Sequence, residues 1–155
     1  MTEYEGRLMA TGRIALVASR YHGRITSRLV DGALESCREA GFNADDIDVV
    51  HVAGAFELGV VVRQLAEAHR HVAIVAIGVV IRGDTPHFDF VAGETARALG
   101  DAAVNSGVPV GLGLLTCDTM EQATARAGGS AGNKGRDAAD AAIRTAHLLQ
   151  ALGTR

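Results

Sequence analysis

The sequence predicts an α/β fold in three layers, a four-stranded parallel sheet flanked by helices on both faces. Two observations carry this. Strand-like and helix-like patterns alternate four times along the 155 residues, and such alternation builds β-α-β crossovers onto a parallel sheet. The strand-like runs are short and apolar nearly throughout, as in strands covered on both faces. The length suits one domain with a full hydrophobic core, residues 1–12 forming an N-terminal arm that is loose or held by a partner.

Taken in order, residues 13–19 (RIALVAS) read as the first strand. A polar turn with Tyr21 and His22 leads to a helix marked by Ile25, Leu29, Ala33 and Cys37 at helical spacing and closed by Gly41. Residues 47–53 read as the second strand and Gly54-Ala55-Phe56-Glu57 as a small turn. Val61, Val62, Leu65 and Ala66 then give a helix ending near His69. Residues 72–80 are an almost unbroken apolar third strand. Beyond Pro86, the positions Phe88, Val91, Ala92, Thr95, Ala96, Leu99 and Ala103 share one face of a long helix reaching about residue 106. Residues 108–116 are the fourth strand, 119–127 a short helix, 128–132 (GGSAG) a flexible break and 133–152 a final alanine-rich helix. This order corresponds to a flavodoxin-like topology.

Composition excludes several classes. With 21% charged and 48% hydrophobic residues the chain is globular rather than disordered. A net charge of −3 without a basic cluster offers nucleic acid or an anionic membrane no handle. The longest apolar run is about half of what a bilayer span needs. The first residues are polar and lack a secretory pattern. Cys37 and Cys117 show no metal-ligand spacing and fit a cytoplasmic, reducing location.

The chemistry concentrates in the strand-to-helix turn Ile81-Arg82-Gly83-Asp84-Thr85-Pro86-His87. Gly83 permits close backbone approach or a positive φ. Thr85 is suited to cap the helix and Pro86 to open it, so that free N–H groups and the helix dipole converge on an anion site. His87 stands in the first turn beside it, placed for proton transfer on a phosphorylated small molecule. The segment from Gly78 to Thr85 has the glycine spacing of a P-loop, but Asp84 stands where such a loop needs its lysine, which excludes nucleoside triphosphate binding.

Ligands in such sheets sit beyond the carboxyl ends of the strands. The loops there add Tyr21 as an aromatic face and Gly54-Ala55-Phe56-Glu57 with its carboxylate, a set suited to a planar, hydroxyl-bearing ligand beside a phosphate. Each piece also has a plainer reading. Tyr21 could pack its loop, Phe56 could be core, and Glu57 could simply favour a helix N-terminus. His22, His51, His69, His71 and His147 lack ligand spacing and read as structural or surface residues.

Gly54-Ala55-Phe56-Glu57, Val80-Ile81-Arg82-Gly83-x-Thr85-x-His87-Phe88, Leu115-Thr116, Arg126-Ala127-Gly128 and Asn133-Lys134-Gly135 occur in this order at suitable intervals. Jointly they resemble the lumazine synthase (6,7-dimethyl-8-ribityllumazine synthase) family over about residues 14–152. The resemblance implies a cofactor-free, metal-free transferase of riboflavin biosynthesis. It would condense 5-amino-6-(D-ribitylamino)uracil with 3,4-dihydroxy-2-butanone 4-phosphate, releasing phosphate and water. It also implies roles residue by residue. Tyr21 would stack on the pyrimidine, a place usually held by Phe or Trp. Ala55 and Phe56 backbone with the Glu57 carboxylate would hold the ribityl chain, and Val79, Val80 and Ile81 backbone would read the uracil edge. Gly83, Asp84, Thr85 and Arg126 would bind phosphate, with Lys134 near it, and His87 would move protons. Leu112, Arg126 and Lys134 would reach the site from a neighbouring subunit. That implies a homo-oligomer of pentamers, in some members an icosahedral shell, with riboflavin synthase as a possible partner; the segment 128–135 resembles that of shell-forming members.

Three positions depart from the family pattern. Gly59 replaces a usual proline and loosens a helix start. Leu112 replaces a Phe or Asn that touches the ring. Asp84 puts a carboxylate beside the phosphate, tolerable where the backbone N–H makes the contact. The alternatives are a paralogue that binds flavin or lumazine without catalysis, which Leu112 and Asp84 allow against intact His87 and Arg126, and a shell protein with a vestigial site.

Overall fold

The computed structural model describes residues 1–153. Strands β1 (Ile14–Ser19), β2 (Ile47–Val52), β3 (Ala73–Ile81) and β4 (Val110–Cys117) form one sheet in the order β2-β1-β3-β4. Every pairing is parallel, with Ile14 opposite both Ile47 and Ala73, and Ile77 opposite Gly113. The α/β sandwich expected from the alternation is therefore present.

Side-chain alternation along the strands sorts the core into two halves. Ile14, Leu16, Ala18, Val75 and Ile77 pack beneath α1 (Gly23–Ala40) and α5 (Lys134–Ala151). Ala15, Val17, Ile74 and Ala76 pack beneath α2 (Leu58–Ala68) and α3 (His87–Ser106). β1 is buried along its whole length, as an apolar central strand must be, whereas β2 is a partly exposed edge carrying Asp48 and His51. The helices end where the backbone turns left-handed, at Gly41 (φ 95°) after α1 and Gly107 (φ 76°) after α3, where glycine adopts the angle without strain.

Two close approaches set helix positions. At the crossing of α1 and α5, Gly135 lies against the Leu29 backbone and Gly32 against the Asn133 side chain. Asn133 caps α5 by accepting from the Arg136 N–H at 3.1 Å, and its own amide donates to the Arg28 carbonyl at 3.0 Å. On the other face, a Cβ at Gly59 would stand 2.8 Å from the Ala98 Cβ, so this glycine lets α2 and α3 pack closely.

Three expectations are corrected. Part of the arm is tied to its own chain: the Ala10 N–H donates to the Ala40 carbonyl at 2.9 Å and the Arg7 N–H to His147 Nδ1 at 3.3 Å, while residues 1–5 are exposed. Residues 128–132 are no loose break. They belong to a small antiparallel hairpin, β5 (Ala127–Gly129) with β6 (Gly132–Asn133), which follows the capped helix α4 (Met120–Ala125). Gly83 does not have a positive φ, and a Cβ there would meet nothing within 4 Å, so neither strain nor packing within the chain requires glycine.

Candidate functional site

Beyond the carboxyl ends of β1, β2 and β3 lies a cavity of about 600 Å³. Its walls come from the loops after β1 and β2, the end of β3 and the start of α3. The first two loops are tied together by the Arg20 N–H donating to the Val52 carbonyl at 2.8 Å and the Tyr21 N–H to the Ala53 carbonyl at 3.1 Å. Tyr21 is 67% exposed and Phe56 63%, so neither is core of the chain, and both present apolar faces to the cavity. Residues Ala55–Glu57 form a 3-10 turn that buries Ala55. Buried Thr95 of α3 donates to the Ala55 carbonyl at 3.4 Å, fastening this turn to the helix that bears His87. Glu57, Val79, Val80 and His87 complete the expected lining.

The turn after β3 supplies the anion geometry. The Arg82 N–H extends the ladder to the Cys117 carbonyl at 2.9 Å, and the Asp89 N–H closes the first helical turn onto the Pro86 carbonyl at 3.0 Å. Between them the N–H groups of Gly83, Asp84 and Thr85 donate to no protein acceptor among the described residues. The assigned helix begins at His87, one residue later than the Thr85 cap predicts. The Thr85 hydroxyl accepts from the His87 N–H at 3.5 Å, the long limit of such a bond. Three exposed N–H groups ahead of a 20-residue helix can hold an anion, and His87 follows immediately at the cavity lip.

The two cations expected at the phosphate, Arg126 and Lys134, lie elsewhere. Arg126 and Lys134 line a separate cavity of about 290 Å³ with Thr116, Cys117 and Asp137. Their backbones are joined by the Lys134 N–H donating to the Arg126 carbonyl at 2.8 Å across the base of the hairpin, while the Arg126 guanidinium donates to the Gln122 carbonyl at 3.0 Å. Burial pushes the Cys117 thiol up, against the opposing pull of Arg126. The two cavities share no lining residue.

The structure thus gathers Tyr21, Ala55, Phe56, Glu57, Val79, Val80 and His87 at one cavity and Arg126 and Lys134 at another. Ile81 packs against the core beneath α1 and α5, and Leu112 lies 49% exposed on β4; neither lines a cavity wall here. Phe90 and Glu94 also line the larger cavity and were not anticipated. The available signal was Phe90 itself, an aromatic outside the stripe of Phe88, Val91, Thr95 and Leu99, and 69% exposed. His71 proves to be buried, its Nε2 2.6 Å from Asp48 Oδ2 at the far end of the sheet. Among the described residues no group of three His, Cys, Asp or Glu side chains is placed to hold a metal ion, and no helix is long and apolar enough to cross a membrane.

The sequence pattern of the family described as 6,7-dimethyl-8-ribityllumazine synthase matches residues 11–150. The chain is 53% identical over 150 residues to the 6,7-dimethyl-8-ribityllumazine synthase of Gemmatimonas aurantiaca, covering 96% of this chain and 92% of that protein. Its identity to proteins of the same name is 46% both for Anaeromyxobacter sp. and for Syntrophus aciditrophicus. Each of those matches covers 97% of this chain, with 93% and 99% of the respective relatives.

Proposed function

The chain belongs to the 6,7-dimethyl-8-ribityllumazine synthase family, and from that premise we infer that it is the transferase forming this lumazine in riboflavin biosynthesis. Its substrates are 5-amino-6-(D-ribitylamino)uracil and 3,4-dihydroxy-2-butanone 4-phosphate. The amine of the first condenses with the ketone of the second and loses water. Phosphate then leaves by elimination to give an enol, whose tautomerisation turns the former carbinol carbon into a carbonyl; attack of the ribityl-bearing nitrogen on that carbonyl closes the ring with loss of a second water.

The observation that carries the residue roles is the sequence of parts at the turn: three unpartnered N–H groups, then His87, at the lip of an apolar cavity. The phosphate of the butanone is held by the amides of Gly83, Asp84 and Thr85, with Asp84 keeping its exposed carboxylate aside. The pyrimidine lies against Tyr21 and Phe56, its edge read by backbone of Val79 to Ile81, and the ribityl hydroxyls meet Glu57. His87 takes and returns protons during imine formation, elimination and closure. Bringing two substrates together in one cavity supplies a large further share of the rate.

Arg126 and Lys134 line a cavity that shares no residue with the larger one, which supports a clamp assembled from two protomers. The phosphate clamp is therefore composite: Arg126 and Lys134 of one protomer meet the turn of its neighbour, with Leu112 brought in the same way. The exposed apolar side chains Val60, Phe90, Val104 and Leu112 give such a contact its apolar area. The assembly is a homo-oligomer built on pentamers, and an icosahedral shell is its larger form, able to enclose riboflavin synthase. Two free, buried thiols suit a cytoplasmic setting.

Mixing the purified protein with both substrates and following lumazine absorbance tests the reading. Turnover above the uncatalysed rate, lost in Arg126→Ala, is expected. A wild-type rate equal to background from folded oligomer would replace the enzyme with a non-catalytic binder of the lumazine.

A further inference from the structure

Among the described residues, Arg82 is the one side chain that spans the phosphate turn from end to end. Its Nε donates to Asp118 Oδ1 at 2.9 Å, in the loop after β4, and its terminal nitrogen reaches Asp89 Oδ1 at 3.4 Å, in the first turn of α3. Its guanidinium carbon lies 4.3 Å from the centroid of the Phe88 ring, and Phe88 is buried. The segment between, Gly83 to His87, has almost no bonds of its own: the Thr85 hydroxyl contact is at 3.5 Å, and the amides of Gly83, Asp84 and Thr85 are free. Beyond the backbone bonds at its two ends, from the Arg82 N–H to Cys117 and from the Asp89 N–H to Pro86, the turn is crossed by the Arg82 side chain.

The charge of Arg82 is already matched. Two carboxylates share the guanidinium, one on each side of the turn, and the ring plane of Phe88 sets its orientation. A planar fork meets two carboxylates in fixed directions while lying over a ring, a geometry that an ammonium, a point charge on a flexible stem, does not reproduce.

We propose that Arg82 is a positioning residue for the phosphate subsite: through Asp118, Asp89 and Phe88 it holds the Gly83–Asp84–Thr85 amides and His87 in the geometry that receives the phosphate of the substrate. The inference rests on the functional reading above. It assigns Arg82 no contact with substrate, and that separates it from the obvious competitor, an arginine that binds the phosphate directly. The two roles predict opposite signs at Asp118. If Asp118 anchors a clamp, Asp118→Asn weakens phosphate binding. If Arg82 binds phosphate itself, removing a competing carboxylate strengthens it.

The test uses the intact oligomer, wild type, Arg82→Lys and Asp118→Asn, with steady-state kinetics on both substrates and calorimetric titration of inorganic phosphate. For Arg82→Lys the expected result is a rise of about five-fold in KM for the butanone phosphate and in the dissociation constant of inorganic phosphate, the scale of two exposed ion pairs and a cation–π contact. Asp118→Asn moves both in the same direction by about two-fold or more. KM for the ribitylaminouracil stays within about two-fold in either variant. Tighter phosphate binding in Asp118→Asn, an unchanged Arg82→Lys, equal shifts in both KM values, or no phosphate binding by wild type would each overturn the proposal. Absence of turnover by a wild type that does bind phosphate would instead strike the functional reading and leave the titration to decide the role of Arg82.

Discussion

Gly135→Ala sets two effects of opposite sign against each other. Gly135 is the second residue of α5, and in a helix an alanine is worth up to about 1 kcal/mol more than glycine, partly through the unfolded chain. Propensity therefore predicts a more stable protein. The crossing with α1 predicts the reverse. A Cβ on Gly135 would stand 2.6 Å from the Leu29 carbonyl carbon and 2.9 Å from its Cα, where ordinary contact begins at 3.4 Å. The obstacle is backbone of a buried helix turn, which cannot rotate aside, so α5 must retreat by roughly 0.5–1 Å along a face close-packed by Ala138, Ala139, Ala142 and Ala146. Overpacking of this kind costs about 1–3 kcal/mol, and a backbone clash belongs at the upper end. The expected net effect is a loss of about 2 kcal/mol, or a fall in Tm of about 4–8 °C for a chain of this length. Urea and thermal unfolding should be compared at equal protomer concentration, since assembly contributes to apparent stability. A variant as stable as wild type, or more so, would refute the reasoning and show that the α1–α5 contact yields freely.

Three further outcomes follow from the packing and the charges. Burial holds the Cys37 thiol neutral, its pKa pushed up to about 11. The unfolded thiol ionises from about pH 9, so folding stability should fall between about pH 9 and 11 by up to about 3 kcal/mol, and urea midpoints of Cys37→Ala should fall less; parallel curves would contradict this. The Asp48 carboxyl is held below its ordinary range by hydrogen bonds from His71 and then Arg13. A depressed carboxyl stabilises above its unfolded value and loses that contribution as pH falls. The stability gap to Asp48→Asn should therefore be about 1 kcal/mol at neutral pH, discounted for partial exposure, and shrink below about pH 4; a pH-independent gap would be the contrary result. Gly59→Ala should cost about 1–2 kcal/mol, and adding Ala98→Gly should recover part of it, a coupling of more than about 0.5 kcal/mol; simple additivity of urea-derived values would dissociate the two positions.

The sheet and its main helices were legible because each is written locally. Residues 72–80 are apolar as a doubly covered strand must be, and Phe88, Val91, Thr95 and Leu99 repeat with a helical period. The hairpin of β5 and β6 was not, because its three glycines, a serine and an alanine at 128–132 carry no hydrophobic pattern. Its shape comes from contacts such as the Ala131 N–H to the Ala125 carbonyl at 2.9 Å. The arm was illegible for the same reason at greater range, its partners Ala40 and His147 lying far along the chain. At the site, the chemical types of Tyr21, Glu57, His87 and Arg126 could be read from the letters. Their division between two cavities is not written in the letters themselves and was expected only from the family resemblance; in the structure Arg126 stands between α4 and the hairpin and lines a cavity of its own.

That division has a genetic consequence. A chain whose proton-transfer cavity and cation cavity face different neighbours contributes half of one site and half of another. In the composite assembly proposed above, a His87→Ala protomer beside an Arg126→Ala protomer rebuilds one intact site, although neither variant alone can make any. Random mixing of the two would restore about a quarter of the sites. Two inactive alleles would thus complement each other in one cell, and a single defective allele would impair its neighbours as well as itself.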